Sequence, residues 1–141
     1  MVTSHPADAQ AALDQVIADW NVASASWDAT GIAATYSEDG MLFGGRPGHF
    51  VGRASIREYF ASYDGVILSG SMRMSGMVVR ELGSACLLFQ GMAHFAFTLA
   101  GNRQTQSQLR ATLVLNREPD RWRIVDHHFS PIPAEPPLGN D

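Results

Sequence analysis

The sequence predicts one α+β domain in which N-terminal helices pack against a curved antiparallel sheet. Helical patterns are confined to about residues 6–64, and strand-like patterns fill about residues 66–130. Helices that precede an antiparallel meander are typical of the α+β class. The length of 141 residues fits a single domain. We therefore assign residues 1–141 to one domain, with a loose proline-rich tail over 131–141.

The first helix is predicted over about residues 6–27. Pro6 suits its first turn, because a missing N–H leaves no unsatisfied donor there. The large apolar residues of this segment recur at helical spacing and fall on one stripe. They are Leu13, Val16, Ile17, Trp20 and Trp27.

Two shorter helices are predicted before the sheet begins. Asp28 is a candidate N-cap for the first of these, which ends near Tyr36. A short strand over 41–43 and a glycine-rich loop over 44–52 follow, and a third helix covers about residues 54–64. The loop lacks the spacing of a dinucleotide-binding motif, and it is either a lid over a pocket or a plain surface loop.

Four long strands are predicted from residue 66 onward, separated by glycine- and proline-containing turns. They cover about residues 66–80, 84–99, 105–117 and 121–130. We assign an apolar set on the third of them to the sheet face away from the helices: Leu109, Ala111, Leu113 and Leu115. A sheet that is apolar on both faces needs a second cover, and a homodimer through this sheet face is expected.

Composition excludes several classes of function. The formal charge is −4 without a basic run, so no nucleic-acid partner is predicted. All ten basic residues are arginine, which excludes Schiff-base chemistry on lysine and a phosphate-binding loop ending in Gly-Lys. No segment reaches the ~18 apolar residues of a membrane span, and no membrane partner is expected. The single Cys86 and the absence of an apolar leader predict a cytoplasmic protein, and we predict no cofactor.

Three stretches of sequence carry a resemblance to a known family. They are Tyr36-Ser-Glu-Asp-Gly40, Gly52-Arg-Ala-Ser-Ile56 and Trp122-Arg-Ile-Val-Asp-His-His-Phe-Ser130. In this order the chain resembles the nuclear transport factor 2-like superfamily over roughly residues 8–133. The resemblance is to its SnoaL-like branch and to the association domain of calcium/calmodulin-dependent protein kinase II. It implies a cone-shaped, cystatin-like fold with an apolar pocket at the wide end, and dimers or larger rings formed through the sheet.

The same resemblance argues against ketosteroid isomerase chemistry. The position of the general-base aspartate of those enzymes is Gly44 in this chain, and their oxyanion-hole acid falls near Arg110 or Ala111. By contrast, Arg110 and His128 match an arginine and a histidine that line the pocket of the kinase association domain. The resemblance therefore implies that these two residues bind a ligand.

Regular alternation predicts that five residues of the last strand share one face. They are Trp122, Ile124, Asp126, His128 and Ser130. If the last two strands pair through the turn at 118–120, Arg110 lies near His128. Arg110 would then clamp a ligand oxygen, and His128 with Asp126 would form a catalytic acid–base pair. The alternative is a structural Asp–Arg–His network that closes one end of the sheet.

Four aromatic residues complete the predicted ligand site. The Tyr36 hydroxyl is a candidate donor to a ligand oxygen, and Trp20, Phe43 and Phe95 are candidate pocket walls. Roles in the core explain the same four residues, because apolar pockets and apolar cores use the same side chains.

The pair His127 and His128 does not predict a metal site. Adjacent residues of a strand point to opposite faces, so the two imidazoles cannot bind one ion together.

We therefore predict a homodimeric protein that binds a small molecule in an apolar pocket. Two alternatives stay open. One is a cofactor-free isomerase, cyclase or dehydratase that uses His128 and Asp126, and the other is a module for self-association. The sequence does not identify the ligand.

Overall fold

The structure is a computed structural model that describes residues 6–141, and it confirms the α+β class. The helices are α1 (Pro6–Ser24), α2 (Ala29–Ala33) and α3 (Arg53–Ala61). The strands are β1 (Tyr36–Phe43), β2 (Phe50–Val51), β3 (Ile67–Gly83), β4 (Cys86–Leu99), β5 (Arg103–Arg117) and β6 (Trp122–Ser130). Residues 1–5 of the predicted domain lie outside the described residues.

A sharp reversal separates α1 from α2, so the first helix ends three residues before its predicted end. Trp27 adopts a left-handed backbone with φ of 50°, and its buried indole N–H donates to the Phe60 carbonyl at 3.0 Å. Asp28 is confirmed as the N-cap of α2, and its carboxylate accepts from the Gly31 N–H at 3.1 Å. The cap and the buried indole together fix the direction in which the chain turns.

One six-stranded sheet runs in the order β2-β1-β6-β5-β4-β3. Strands β3 to β6 form the predicted antiparallel meander. Strand β1 pairs parallel with β6, so the sheet is antiparallel except at this pair. Tyr36, expected at a helix end, is the first residue of β1. The strand predicted over 41–43 is therefore the end of a longer strand, whose first residues were not predicted because their partner lies at the far end of the chain.

The apolar set of β5 covers the core, which reverses the predicted assignment of the two sheet faces. Ala111, Leu113 and Leu115 are buried in one cluster with the helices. The outer face of β5 carries Arg110 and Val114, which are exposed and half-buried respectively. The leucine-rich set packs inward because the helices need an apolar surface to cover.

A β-bulge in β6 changes which side chains face the core. The adjacent β5 residues Leu115 and Val114 pair with Ile124 and Asp126, respectively. Val125 is therefore an extra residue in β6. Ile124 and His127 are therefore buried on the inner face, whereas His128 is exposed. The prediction that Ile124 and His128 share a face is wrong, because one extra residue shifts the alternation.

Residues 131–141 follow β6 without a helix or strand, and they are exposed. No helix between residues 6 and 141 is long and apolar enough to cross a membrane.

Candidate functional site

An aromatic cavity of about 200 Å³ lies between the helices and the inner face of the sheet. Buried Trp20, Phe60 and Phe95 form its deep end. Gly45 and Ser107 also line it and are exposed, so they mark its mouth. Trp20 and Phe95, two of the predicted wall residues, therefore lie on this cavity. Concave sites with mostly apolar walls are typical of small-molecule binding.

The walls of the cavity are held by edge-to-face contacts between aromatic rings. The Trp20 ring centroid lies 6.3 Å from Trp27, 6.0 Å from Phe60 and 5.9 Å from Phe95. These contacts cross from α1 to α3 and β4. Rings packed in this geometry gain about 0.5–1.5 kcal/mol per pair beyond burial, which favours a cavity of fixed shape.

A buried polar pair lies directly behind this wall. The Tyr36 hydroxyl is 2.8 Å from His127 Nδ1, and both side chains are wholly buried. The His127 ring packs 4.6 Å from Phe129, and the Tyr36 ring packs 5.9 Å from Phe60. Both phenylalanines line the cavity. The parallel pairing of β1 with β6 is what brings the hydroxyl and the imidazole together.

Burial keeps both members of the pair neutral. It raises the pKa of Tyr36 far above the ordinary tyrosine value, with a smaller opposing effect from the Trp20 indole. Burial lowers the pKa of His127 to about 3, and the nearby charge of His128 adds to this shift. An imidazole with so low a pKa is uncharged at neutral pH.

One tautomer of the neutral pair gives a partner to both atoms of the contact, the Tyr36 hydroxyl and His127 Nδ1. If Tyr36 donates its hydroxyl hydrogen, His127 accepts at Nδ1 and carries its own proton on Nε2. The reverse arrangement would leave the tyrosine hydrogen without an acceptor, since the nearby Trp20 indole nitrogen is itself only a donor. The arrangement therefore assigns the imidazole proton to Nε2.

Two buried N–H groups lack a partner within the described part of the chain. They are Trp20 Nε1 and His127 Nε2. The Trp20 indole comes close enough to the Tyr36 hydroxyl to affect its pKa, but it does not reach hydrogen-bond geometry. A buried donor without an acceptor costs about 1–3 kcal/mol. Neither nitrogen atom is exposed to the cavity, so both donors lie within the packed wall.

The predicted arginine and histidine lie in a different place, on the outer face of the sheet. Arg110 and His128 line a shallow groove of about 680 Å³ together with Gln90, Thr112 and Ser130. Arg110 Nη2 donates to Ser130 Oγ over a long donor–acceptor distance of 3.5 Å. Arg110 and His128 thus come together as expected, but the sheet separates them from the aromatic cavity.

Phe43 and Asp126 also face outward. Phe43 is 43% exposed and stacks on His49, with ring centroids 4.3 Å apart. Its ring is 5.2 Å from that of His128. Burial raises the pKa of Asp126, and positive charge on His128 and His49 opposes the rise. The predicted site therefore divides into an inner set (Trp20, Tyr36 and Phe95) and an outer set (Phe43, Arg110, Asp126 and His128).

Metal ligands do not gather at either place. Among residues 6–141, no group of three or more His, Cys, Asp or Glu side chains could hold a metal ion. His127 is buried and His128 is exposed, on opposite faces of β6 as the alternation predicted.

Sequence reasoning missed His127 as a residue of the inner site. Both histidines were visible in the sequence, but regular alternation predicted that His128, and not His127, belongs to the ligand site. Only the bulge at Val125 turns His127 inward. Trp27 was recognised as an apolar-stripe residue, and the structure adds that it lines the cavity together with Tyr59.

Comparison with known proteins agrees with this architecture. The model of a family described as the SnoaL-like domain matches residues 13–135, which is most of the chain. The chain belongs to the SnoaL-like family. No curated protein matches this SnoaL-like protein significantly.

Solved structures share the fold of this SnoaL-like protein. A Xanthomonas campestris protein, provisionally named a calcium/calmodulin-dependent protein kinase II association domain, superposes with a TM-score of 0.77 at 25% identity, covering 94% of this chain and 91% of that one. A nuclear transport factor 2-like superfamily protein from Salmonella enterica gives a TM-score of 0.73 at 16% identity, with coverages of 96% and 100%. A Streptomyces avermitilis protein, provisionally named a dehydratase of the NTF2-like family, gives 0.74 at 14% identity, with coverages of 92% and 100%. The last two similarities show a common fold only.

Proposed function

We propose that this SnoaL-like protein binds a small, mainly apolar molecule in the aromatic cavity. The observation that carries the proposal is a cavity of about 200 Å³ with aromatic walls and an accessible mouth. An engineered apolar cavity of about 150 Å³ in another protein accommodates benzene. The present cavity therefore suits a molecule of about one ring with a short substituent.

The polar groups at the deep end do not reach the cavity. Trp20 Nε1 is wholly buried and lies close to the Tyr36 hydroxyl, which bonds to His127. The deep end therefore favours the apolar part of a ligand, and these polar groups hold the wall in place.

The protonation state of the inner site favours binding over acid–base catalysis there. With a pKa lowered to about 3 by burial, His127 is a weak base and holds no transferable charge at neutral pH.

Tryptophan fluorescence tests the proposal, since Trp20 and Trp27 both line the cavity. Single-ring alcohols, amides and acids would be titrated into wild type and two variants of adjacent residues. Ser107→Phe places a ring at the cavity mouth. Adjacent strand residues point to opposite faces and Gln106 does not line the cavity, so Gln106→Phe is the matched control.

We expect saturable fluorescence changes in wild type and in Gln106→Phe, and at least tenfold weaker binding in Ser107→Phe. Thermal melting would establish that all three proteins are folded. Equal binding by both variants would place the ligand elsewhere and refute the proposal.

Self-association through the outer sheet face is a second candidate function. Leu88, Met92 and Val114 are half-buried there, and Val78 is 54% exposed. A protein with the same fold is provisionally named an association domain. Val114→Glu should convert a dimer to a monomer in light scattering, whereas Gln104→Glu at the exposed end of β5 should not.

An acid–base reaction on the outer face of the sheet is the remaining alternative. Asp126 is half-buried with a raised pKa beside His128, and a fold neighbour is provisionally named a dehydratase. If the pair is catalytic, His128→Ala should abolish turnover of a substrate while leaving binding in the aromatic cavity unchanged.

A further inference from the structure

We infer that Arg46 selects ligands with an anionic group, so that the ring of the ligand fills the aromatic cavity and its anion lies at the mouth. This inference rests on the proposed function and names the chemical class of the ligand: a single-ring molecule with a short arm ending in a carboxylate or a similar anion.

The position of Arg46 follows from three contacts. Its guanidinium carbon lies 4.3 Å from the centroid of the Tyr63 ring. Its Nε donates to Ser62 Oγ and its Nη2 to the Ser62 carbonyl, each at 3.2 Å. Tyr63 lines the cavity, and so does Gly45, the residue before Arg46 in the chain. The cation is therefore fixed beside the mouth.

The charge of Arg46 has no counter-ion in the described structure. The ion pairs of residues 6–141 use Arg121 and Arg123, and none includes Arg46. None of the residues that line the cavity is charged. Only two of the five N–H donors of a guanidinium are used by Ser62. A cation with spare donors beside an uncharged aromatic cavity is complementary to an anion on an apolar body.

The loop that carries Arg46 is held against α3. The Tyr59 hydroxyl accepts a hydrogen bond from the Gly45 N–H at 2.8 Å. A Cβ at Gly44 would overlap that same hydroxyl, so the loop and the tyrosine are in close contact. Because the loop is held in this position, little ordering is needed when a ligand binds, which favours affinity.

A matched pair of probes tests the inference. 3-Phenylpropanoate and 3-phenylpropanamide have the same ring and arm, but only the first is charged. Both would be titrated by tryptophan fluorescence against wild type, Arg46→Gln, Arg46→Lys and Arg57→Gln. Arg57→Gln removes the same charge from an exposed position on α3, where the guanidinium bonds to Thr30.

We expect wild type and Arg57→Gln to bind the carboxylate about threefold to tenfold more tightly than the amide at low salt. The preference should disappear in Arg46→Gln, persist in part in Arg46→Lys, and weaken as salt screens the charge.

Equal affinities for the two probes in wild type would overturn the role of Arg46 while leaving the cavity proposal intact. Binding of neither probe would refute both. A preference that survives in Arg46→Gln would assign anion selection to a different residue.

Discussion

The Tyr36 hydroxyl lies 2.8 Å from His127 Nδ1, although the two residues are 91 positions apart in the chain. Both side chains are wholly buried. The contact exists because the first and last long elements of the sheet, β1 and β6, pair in parallel. It places a neutral polar pair behind an otherwise aromatic wall.

Loss of this hydrogen bond should destabilise the protein. Tyr36→Phe leaves the buried His127 without a hydrogen-bond donor to its Nδ1 atom. We therefore expect the free energy of unfolding to fall by about 1–3 kcal/mol. Chemical denaturation would measure it. In a double-mutant cycle, adding His127→Leu should cost much less in the Tyr36→Phe background than in wild type, and full additivity would contradict the pairing.

The burial of His127 should make stability depend on pH in acid. Its pKa in the folded protein is lowered to about 3 by burial, below the ordinary value of about 6.5 in an unfolded chain. The unfolded state therefore binds a proton first as pH falls, and stability is lost from about pH 6.5 down to about pH 3. The loss from this residue is of order 3–5 kcal/mol.

His127→Gln should remove that contribution and flatten the profile of unfolding free energy against pH. Nuclear magnetic resonance supplies an independent check, because the His127 ring should not titrate between pH 5 and pH 8. A ring resonance that titrates near pH 6.5 would contradict the neutral buried state.

The outer pair, Asp126 and His128, predicts a change of stability with pH that is opposite in sign to that of His127. Burial raises the pKa of Asp126 and the charge of His128 opposes this. His128→Gln removes the opposing charge, so the pKa of Asp126 should rise further, as followed by its carboxyl ¹³C shift. A raised carboxyl pKa contributes stability at low pH that is lost as pH rises through that pKa. A fall in the Asp126 pKa in this variant would show that the two groups do not interact as described.

Gly44 provides a test of the loop at the cavity mouth. A methyl group at this position would overlap the Tyr59 hydroxyl and also approach the Phe129 ring. Gly44→Ala should therefore cost about 1–3 kcal/mol of unfolding free energy and weaken ligand binding. Gly83→Ala, whose Cβ would meet nothing within 4 Å, is the matched control and should be close to neutral. Equal stability of the two variants would contradict the close packing of the loop on α3.

Local patterns in the sequence were sufficient for much of the fold. The helical stripe containing Trp20 is buried as predicted, and Asp28 caps α2. The antiparallel meander from β3 to β6 follows the predicted order. These features depend on periodicity, capping and turn residues, all of which act between neighbours in the chain.

The same local patterns could not predict that the candidate site residues divide between two places. The prediction joined Arg110 and His128 to Trp20 and Phe95 in one pocket, but the sheet lies between these pairs. Assigning a strand face requires knowing which side the helices cover, and that is a property of packing between distant segments.

The sequence by itself determined the α+β class, the order of the elements and the aromatic composition of the core. Only the tertiary structure decided that His127, and not His128, faces inward beside Tyr36. The physical reason is the extra residue at Val125, which shifts a two-residue period by one position. Pairing with strands on both sides accommodates that residue, and regular alternation along β6 alone does not reveal it.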